Sequence, residues 1–299
     1  MIRKTQLAVA VAALISAPAF AAVGFDANVE MDNTYQNNGR GISQTGRVEL
    51  NAYSKTDKGG GFVAGRASYM AGKTGTTVGI DDMWVQIGNA SGDVKLGRFE
   101  AADLFPLGKD VMVEDGGAPS GYRTNVFRGR NSTNAFHGAV NLNAGNGVGV
   151  EIGVMAKADD AAGSKKTFVG IRPLVSFGMN GFSAKLGVES GKDGTGAKVN
   201  GVGLTVGTTM AGAGLNLSVG SGKVGGVKGT SFGLNATMGA AGVGYILDKN
   251  GSAKENTFYA AYSLPLFDTG ATITPAASYS KATGEDKRIG LRVRINYAF

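Results

Sequence analysis

The sequence predicts an all-β fold: a transmembrane, antiparallel, up-and-down β-barrel, most simply of 16 strands, with a long loop folded into its lumen. Three observations predict it. Short segments that alternate apolar and polar side chains recur from residue 22 to the end. After the first 21 residues no apolar run reaches the ~18 residues that a membrane-spanning helix needs. The 50 glycines are dispersed through the alternating segments, with only 6 prolines, and follow neither a G-X-Y period nor a low-complexity block.

The first 21 residues are read apart from the fold, as a cleaved signal peptide. Arg3 and Lys4 charge its start, Leu7 to Ile15 form an apolar stretch too short to cross a bilayer, and Ala19-Phe20-Ala21 is a small-x-small cleavage site. Ala22 is then the mature N-terminus of a single domain, residues 22–299. Without that segment the chain carries 28 basic against 23 acidic residues, net +5. The basic residues are scattered singly, so export and the absence of a basic cluster argue against a nucleic-acid partner. There is no cysteine, which removes disulfides and thiolate metal sites.

The strands follow in order. "AVGFDANVEMDNTY" sets Val23, Phe25, Ala27, Val29 and Met31 against Gly24, Asp26, Asn28, Glu30 and Asp32. "RVELNAYS" opposes Val48, Leu50 and Ala52 to Arg47, Glu49, Asn51 and Tyr53. "FVAGRASYM", "DDMWVQIG", "DVKLGRF", "FHGAVNLN", "VGVEIGVMA" and "FVGIRPLVSF" extend the pattern to about residue 177. "FSAKLGVES", "NGVGLTVGT", "GLNLSVGS", "SFGLNATMG", "GVGYIL", "NTFYAAYSL", "ATITPAASYS" and "RIGLRVRINYAF" complete 16 segments. "GVGYIL" and the two Pro-bearing segments are the weaker ones. Tight connections such as "NASG", "MNG" and "MAGA" trade places with longer polar ones such as "KADDAAGSKK", "GKDGTGAKVN" and "DKNGSAKE", the asymmetry of short inner turns and longer outer loops.

A soluble β-sandwich also alternates, but it would need a core richer in Leu and Phe than these Ala, Gly and Val faces supply. Tyr35, Tyr69, Phe177 and Tyr297 stand near segment ends, where an interfacial girdle places aromatics. The last segment sharpens the choice. Its faces are Ile289, Leu291, Val293, Ile295, Tyr297 and Phe299 on one side, and Arg288, Arg292 and Arg294 on the other. Each Arg on a mid-membrane lipid face would cost about 2–4 kcal/mol, so the arginines must line the inside. A barrel of this size lined by Arg, Glu, Asn and Gly is wide enough for an aqueous channel.

One connection breaks the rhythm: residues 99 to about 130, "FEAADLFPLGKDVMVEDGGAPSGYRTNVFRGR". Loops this long in compact proteins are usually functional or disordered. Leu104, Phe105, Leu107, Val111, Met112 and Val113 need something to pack on, which argues for a loop folded into the barrel.

Here the sequence resembles a known family. "GDVKLGRFE" is similar to the Gly-Arg segment that leads into the third loop of general porins, the trimeric 16-stranded diffusion channels of Gram-negative outer membranes. Val113-Glu114-Asp115-Gly116-Gly117 resembles the Pro-Glu-Phe-Gly-Gly turn of that constriction loop without its Pro and aromatic, and "VFRGR" resembles the segment that leaves it. The resemblance implies Arg98 and Arg130 on the constriction wall, with Arg47 as third member, and Glu114 on the facing loop. Strand parity separately directs Arg47 and Arg66 inward, whereas it groups Arg98 with Val94 and Leu96; a bulge, or burial of those two beneath the loop, would reconcile it. Glu100, Asp103, Asp110 and Asp115 add to the acidic side. The rival reading is that these charges pair with one another to hold the loop. Tyr297 and Phe299 resemble the terminal signal read by the barrel-insertion machinery.

The expectation is an outer-membrane channel for passive diffusion of small hydrophilic solutes and ions, with weak anion preference, a homotrimer by resemblance, and no reaction or cofactor. Alternatives are a substrate-selective sugar or anion channel and a plugged structural or adhesive barrel. An enzyme would depend on His137, the only histidine, which parity places as a solvated lumen residue beside Asn141 and Asn143.

Overall fold

The computed structural model describes residues 22–37, 39–73, 78–114, 122–130, 135–157 and 168–299. The expected signal peptide, and Asp115 with the two glycines after it, lie outside the described residues. The described chain begins with β1 (Val23–Gln36), β2 (Gly41–Lys58), β3 (Gly61–Gly72), β4 (Val78–Asn89) and β5 (Gly92–Arg98). After the long loop come β6 (Phe136–Gly145), β7 (Val148–Lys157), β8 (Phe168–Met179), β9 (Phe182–Lys192) and β10 (Lys198–Met210). Then follow β11 (Ala213–Val224), β12 (Val227–Met238), β13 (Ala241–Asn250) and β14 (Ala253–Tyr262). The short β15 (Leu264–Leu266), β16 (Ala271–Ala282) and β17 (Arg288–Ala298) end the chain.

Every pairing between neighbours is antiparallel, and β14 and β15 both pair with β16, so they form one stave interrupted at Ser263. That makes 16 staves, the even number predicted. The ring closes where β1 meets β17, from Asn28↔Ala298 to Gln36↔Gly290, and the backbone of Phe299 exchanges two hydrogen bonds with Ala27. Closure matters because an open edge in hydrocarbon would leave a row of N–H and C=O groups unsatisfied.

Alternation sorts the faces. On β17, Leu291, Val293, Ile295 and Tyr297 are exposed outward, while Arg292 and Arg294 point in. The same outward exposure recurs at Val48 and Leu50, at Met83, Val85 and Ile87, and at Leu186 and Val188. Water would not tolerate so continuous an apolar belt; a bilayer matches it. The weak Pro-bearing segments are strands after all. At β8 the ladder to β9 skips Arg172 and Pro173, because proline has no N–H to give.

The described chain begins and ends at one end of the barrel, the terminal end, where residues 59–60, 90–91, 146–147, 180–181, 211–212 and 239–240 make two-residue turns. The other end carries the long loop and the connections 193–197 and 283–287. Two connections there are as tight as those at the terminal end: 225–226, with Gly225 and Gly226 at φ 59° and 87°, a geometry that suits a hairpin, and 251–252. The longer loop expected at "DKNGSAKE" is therefore mostly strand.

Candidate functional site

The inner wall from β17 through β4 is a ladder of paired charges. Arg294 reaches Asp32 at 2.8 Å and Glu30 at 3.0 Å, and Arg292 reaches Asp32 at 3.2 Å. Arg47 lies 3.6 Å from Glu30; Arg66 lies 3.6 Å from Asp82 and 3.7 Å from Glu49. Arg130, on the returning limb of the loop, reaches Asp81 at 3.2 Å and Asp82 at 3.0 Å.

Two neighbouring aspartates can serve the same side because β4 is bulged. The register shifts from Ala67↔Met83 to Tyr69↔Ile80, so Asp81 and Asp82 together oppose Ser68. One extra residue in a strand re-aims the side chains around it. Here it turns both carboxylates inward while Val78, Ile80 and Met83 all face out.

The layering of this ladder is unequal. Its five arginines keep 24–43% of their side-chain surface, whereas Glu30, Asp32, Glu49, Asp81 and Asp82 keep only 7–16%. The carboxylates lie against the sheet and the guanidinium groups stand over them, toward the lumen.

The loop lines the opposite arc. Its carbonyls are taken in succession by side chains of the wall: Ala102 by Arg172 (2.6 Å), Leu104 by Thr205 (2.5 Å), Pro106 by Asn235 (2.6 Å) and Leu107 by Tyr259 (2.5 Å). Val111 is taken by Arg292 (2.8 Å) and Glu114 by Ser280 (2.6 Å). These donors stand on β8, β10, β12, β14, β17 and β16, all on the face opposite the apolar belt. A segment can touch them in that order only from inside the ring, hugging the wall.

Glycines make room for it. A Cβ at Gly187 would lie 2.6 Å from Leu104 Cδ1, and one at Gly233 2.7 Å from Phe105 Cζ. Gly170 and Gly191 receive Phe127, and Gly201 and Gly222 receive Tyr122, in the same way. These six glycines are thus sockets for apolar loop residues, Leu104 and Phe105 being two of those that sequence reading left in search of a partner.

Both limbs are tied down at one buried cluster. Arg172 is fully buried between Glu151 (3.1 Å) and Glu189 (3.2 Å). Glu189 also accepts hydrogen bonds from the Tyr122 hydroxyl and from the backbone N–H groups of Val126 and Phe127. Sequence reading missed these three residues. Their inward parity was legible, but nothing local tells a buried inward charge from a wetted one.

The expected site residues divide accordingly. Arg47, Arg66, Arg130, Arg292 and Arg294 meet in the ladder, whereas Arg288 is near the rim, paired with Glu285. Arg98 does not join it. Val94 and Leu96 remain exposed outward, the bulge is on β4 instead of β5, and the Arg98 guanidinium donates to the carbonyls of Ile80 and Arg130. It thus covers backbone acceptors beside the end of β5. Glu114 is buried at 3% exposure. Its carboxylate accepts from Gln36 at 2.6 Å, and its backbone is held by Ser278 and Ser280, so it faces the wall and not the arginines. Glu100 (3.1 Å) and Asp103 (3.6 Å) pair with Arg128 inside the loop, which is the loop-holding alternative. Asp110 is exposed and has no ion pair among the described residues. His137 does face inward, but it is buried and stacked on Phe99 at 3.9 Å beneath the loop, so it is not a solvated ring. Among the described residues no group of three or more His, Cys, Asp or Glu could hold a metal.

No known family matches the sequence, and no curated protein does. Solved structures do match the fold. A loop-deletion mutant of OmpT, an outer membrane protein of Vibrio cholerae, is 13% identical, with 94% of this chain and 100% of that one covered and a TM-score of 0.71. An anion-selective porin from Comamonas acidovorans is 17% identical over 93% of this chain and 100% of that one, TM-score 0.68. A mutant of Rh. blastica porin is 14% identical with the same coverage, TM-score 0.67. The chain therefore has the closed 16-stranded fold of porins.

Proposed function

We propose that the chain is an outer-membrane porin: a water-filled channel for passive diffusion of small hydrophilic solutes, biased toward anions. The observation that carries the bias is the unequal layering of the wall. An ion in the lumen meets guanidinium groups first, with their carboxylates behind them against the sheet, and the nearer charge dominates the field because water screens the farther one. Asp110 opposes this from the loop, which keeps the bias moderate. The likeness to an anion-selective porin supports the same direction.

The opening lies between the loop, bound along β8 to β17, and the half-exposed Arg47 and Arg66 on the free arc. A ring of charged side chains at such a neck sorts ions by sign. Single-channel recording across a planar bilayer with a potassium chloride gradient tests the reading. The reversal potential is expected to favour chloride, and R47Q/R66Q is expected to move it toward potassium. A potassium-favouring native channel refutes the charge assignment, and absence of conductance favours a plugged barrel. Trimeric assembly and recognition of Tyr297 and Phe299 by the insertion machinery belong to this proposal through the family resemblance.

A further inference from the structure

On the outward face, at the end opposite the termini, lysines stand directly across from lysines. Lys192↔Lys198, Lys223↔Lys228 and Lys249↔Lys254 are facing pairs in their ladders. All six are exposed, and none has a carboxylate within ion-pair distance among the described residues. Their outward direction is fixed by their neighbours: Val199 is fully buried inside, Asp248 pairs inward with Arg123, and Glu255 is buried. Between hairpins the row continues, with Lys223 opposite Asn200, Lys249 opposite Thr230 and Lys281 opposite Asn256.

Like charges directly opposed across strands destabilise a sheet. Three such pairs in consecutive hairpins do nothing for folding and call for an anionic layer outside the protein. Beneath them lies an aromatic cluster: the Phe232 and Tyr245 ring centroids are 6.4 Å apart, and those of Tyr245 and Phe258 4.6 Å. Aromatics of this kind mark the membrane–water interface. Lys228, Lys249 and Lys254 each lie four residues from one of these rings along the strand, toward the end opposite the termini, about 13 Å at ~3.3 Å per residue. With strands tilted by about 35–45° that is roughly 10 Å nearer the water, at the depth of lipid headgroups.

Among the described residues, facing lysine pairs occur on this arc and this end alone. On the arc from β1 to β8 the described outward rim exposes Tyr35, Ile42, Val78, Phe136 and Val169, with Lys73 single there and donating to Gln44. The two-residue turns at the terminal end carry no lysine.

The geometry points to a binding surface for phosphate-bearing lipid headgroups along β9 to β16, each hairpin presenting two ammonium groups to one anionic head. The inference rests on the membrane-barrel reading above and adds a lipid class to it. A headgroup is the occupant because the ammonium groups stand on the bilayer side of the wall, over an aromatic belt, away from the lumen.

The test uses the full chain in phosphatidylcholine vesicles with trace spin-labelled phosphatidic acid or spin-labelled phosphatidylcholine, reading the motionally restricted fraction of each. A lysine near an anionic surface strengthens binding up to about fivefold, so a preference of about threefold or more for phosphatidic acid is expected at low salt. In K198Q/K223Q/K228Q/K249Q/K254Q it is expected to fall toward one, and with arginine at the same five positions to return. Inorganic phosphate is expected to displace the lipid no better than chloride of equal ionic strength. An equal preference in the glutamine variant, none in the native chain, or displacement specific to inorganic phosphate overturns the proposal. Conductance separates the two readings: its absence with the lipid preference intact removes the channel and leaves this surface standing.

Discussion

Replacing Arg172 by methionine is expected to free the loop while leaving the barrel closed. The guanidinium is fully buried, 3.1 Å from Glu151 and 3.2 Å from Glu189, and donates to Ala102 O at 2.6 Å. Removing it leaves two inward carboxylates, one of them only 2% exposed, with no cation between them. Breaking a buried pair from one side costs about 3–5 kcal/mol. Against that stand five other carbonyl tethers on the outgoing limb, at Leu104, Pro106, Leu107, Val111 and Glu114. At about 0.5–1.5 kcal/mol each they supply roughly 2.5–7.5 kcal/mol. The loss is therefore comparable to all of them together. No ladder bond uses the guanidinium, so the staves keep their pairing. The assay is limited trypsin cleavage at Arg123 and Arg128 in detergent, with heat-dependent mobility on a denaturing gel as the measure of the intact barrel. Cleavage is expected to rise about tenfold or more, since 1.4 kcal/mol already shifts a population tenfold, with the barrel transition nearly unchanged. Adding E189Q is expected to restore much of the protection, because removing both members of a buried pair is often nearly neutral. Native-like cleavage in R172M, or a double variant as labile as the single one, would falsify the account of the cluster as the loop's main anchor.

Three further outcomes follow from the same geometry. D81N/D82N removes the carboxylates beneath Arg130 and Arg66 and is expected to move the reversal potential further toward chloride; a shift toward potassium would mean that the aspartates are not what offsets those arginines. G233A brings a methyl group 2.7 Å from Phe105 Cζ, and overpacking of this kind costs about 1–3 kcal/mol. Faster amide exchange near Phe105 with an unaltered barrel transition is expected, and unchanged exchange would show that the socket is not tight. L291R, on the outward face next to the tolerated inward Arg292, is expected to cost about 2–4 kcal/mol in refolding titrations into lipid, and a neutral result would place that face in water.

The sequence by itself determined the sorting of faces. Side chains alternate along any strand, and lipid on one side with water on the other forces Leu291 out and Arg292 in whatever the neighbours are. Stave number, ring order and the inward direction of Arg47, Arg66, Arg292 and Arg294 were all legible for that reason. Tertiary structure decided what the inward residues meet. Arg98 shares the parity of Val94 and Leu96, and only the unequal ends of β4 and β5 give its guanidinium backbone carbonyls to cover. Asp81 and Asp82 share a side because of one extra residue opposite Ser68, which no period reveals. Glu114 turns to Gln36 and the serines of β16, and Arg172 disappears beneath the loop, because contacts such as Ala102 with Arg172 or Pro106 with Asn235 join residues far apart in the chain. The sockets that guide the loop are glycines, and the absence of a side chain carries no sign of which ring will fill the space.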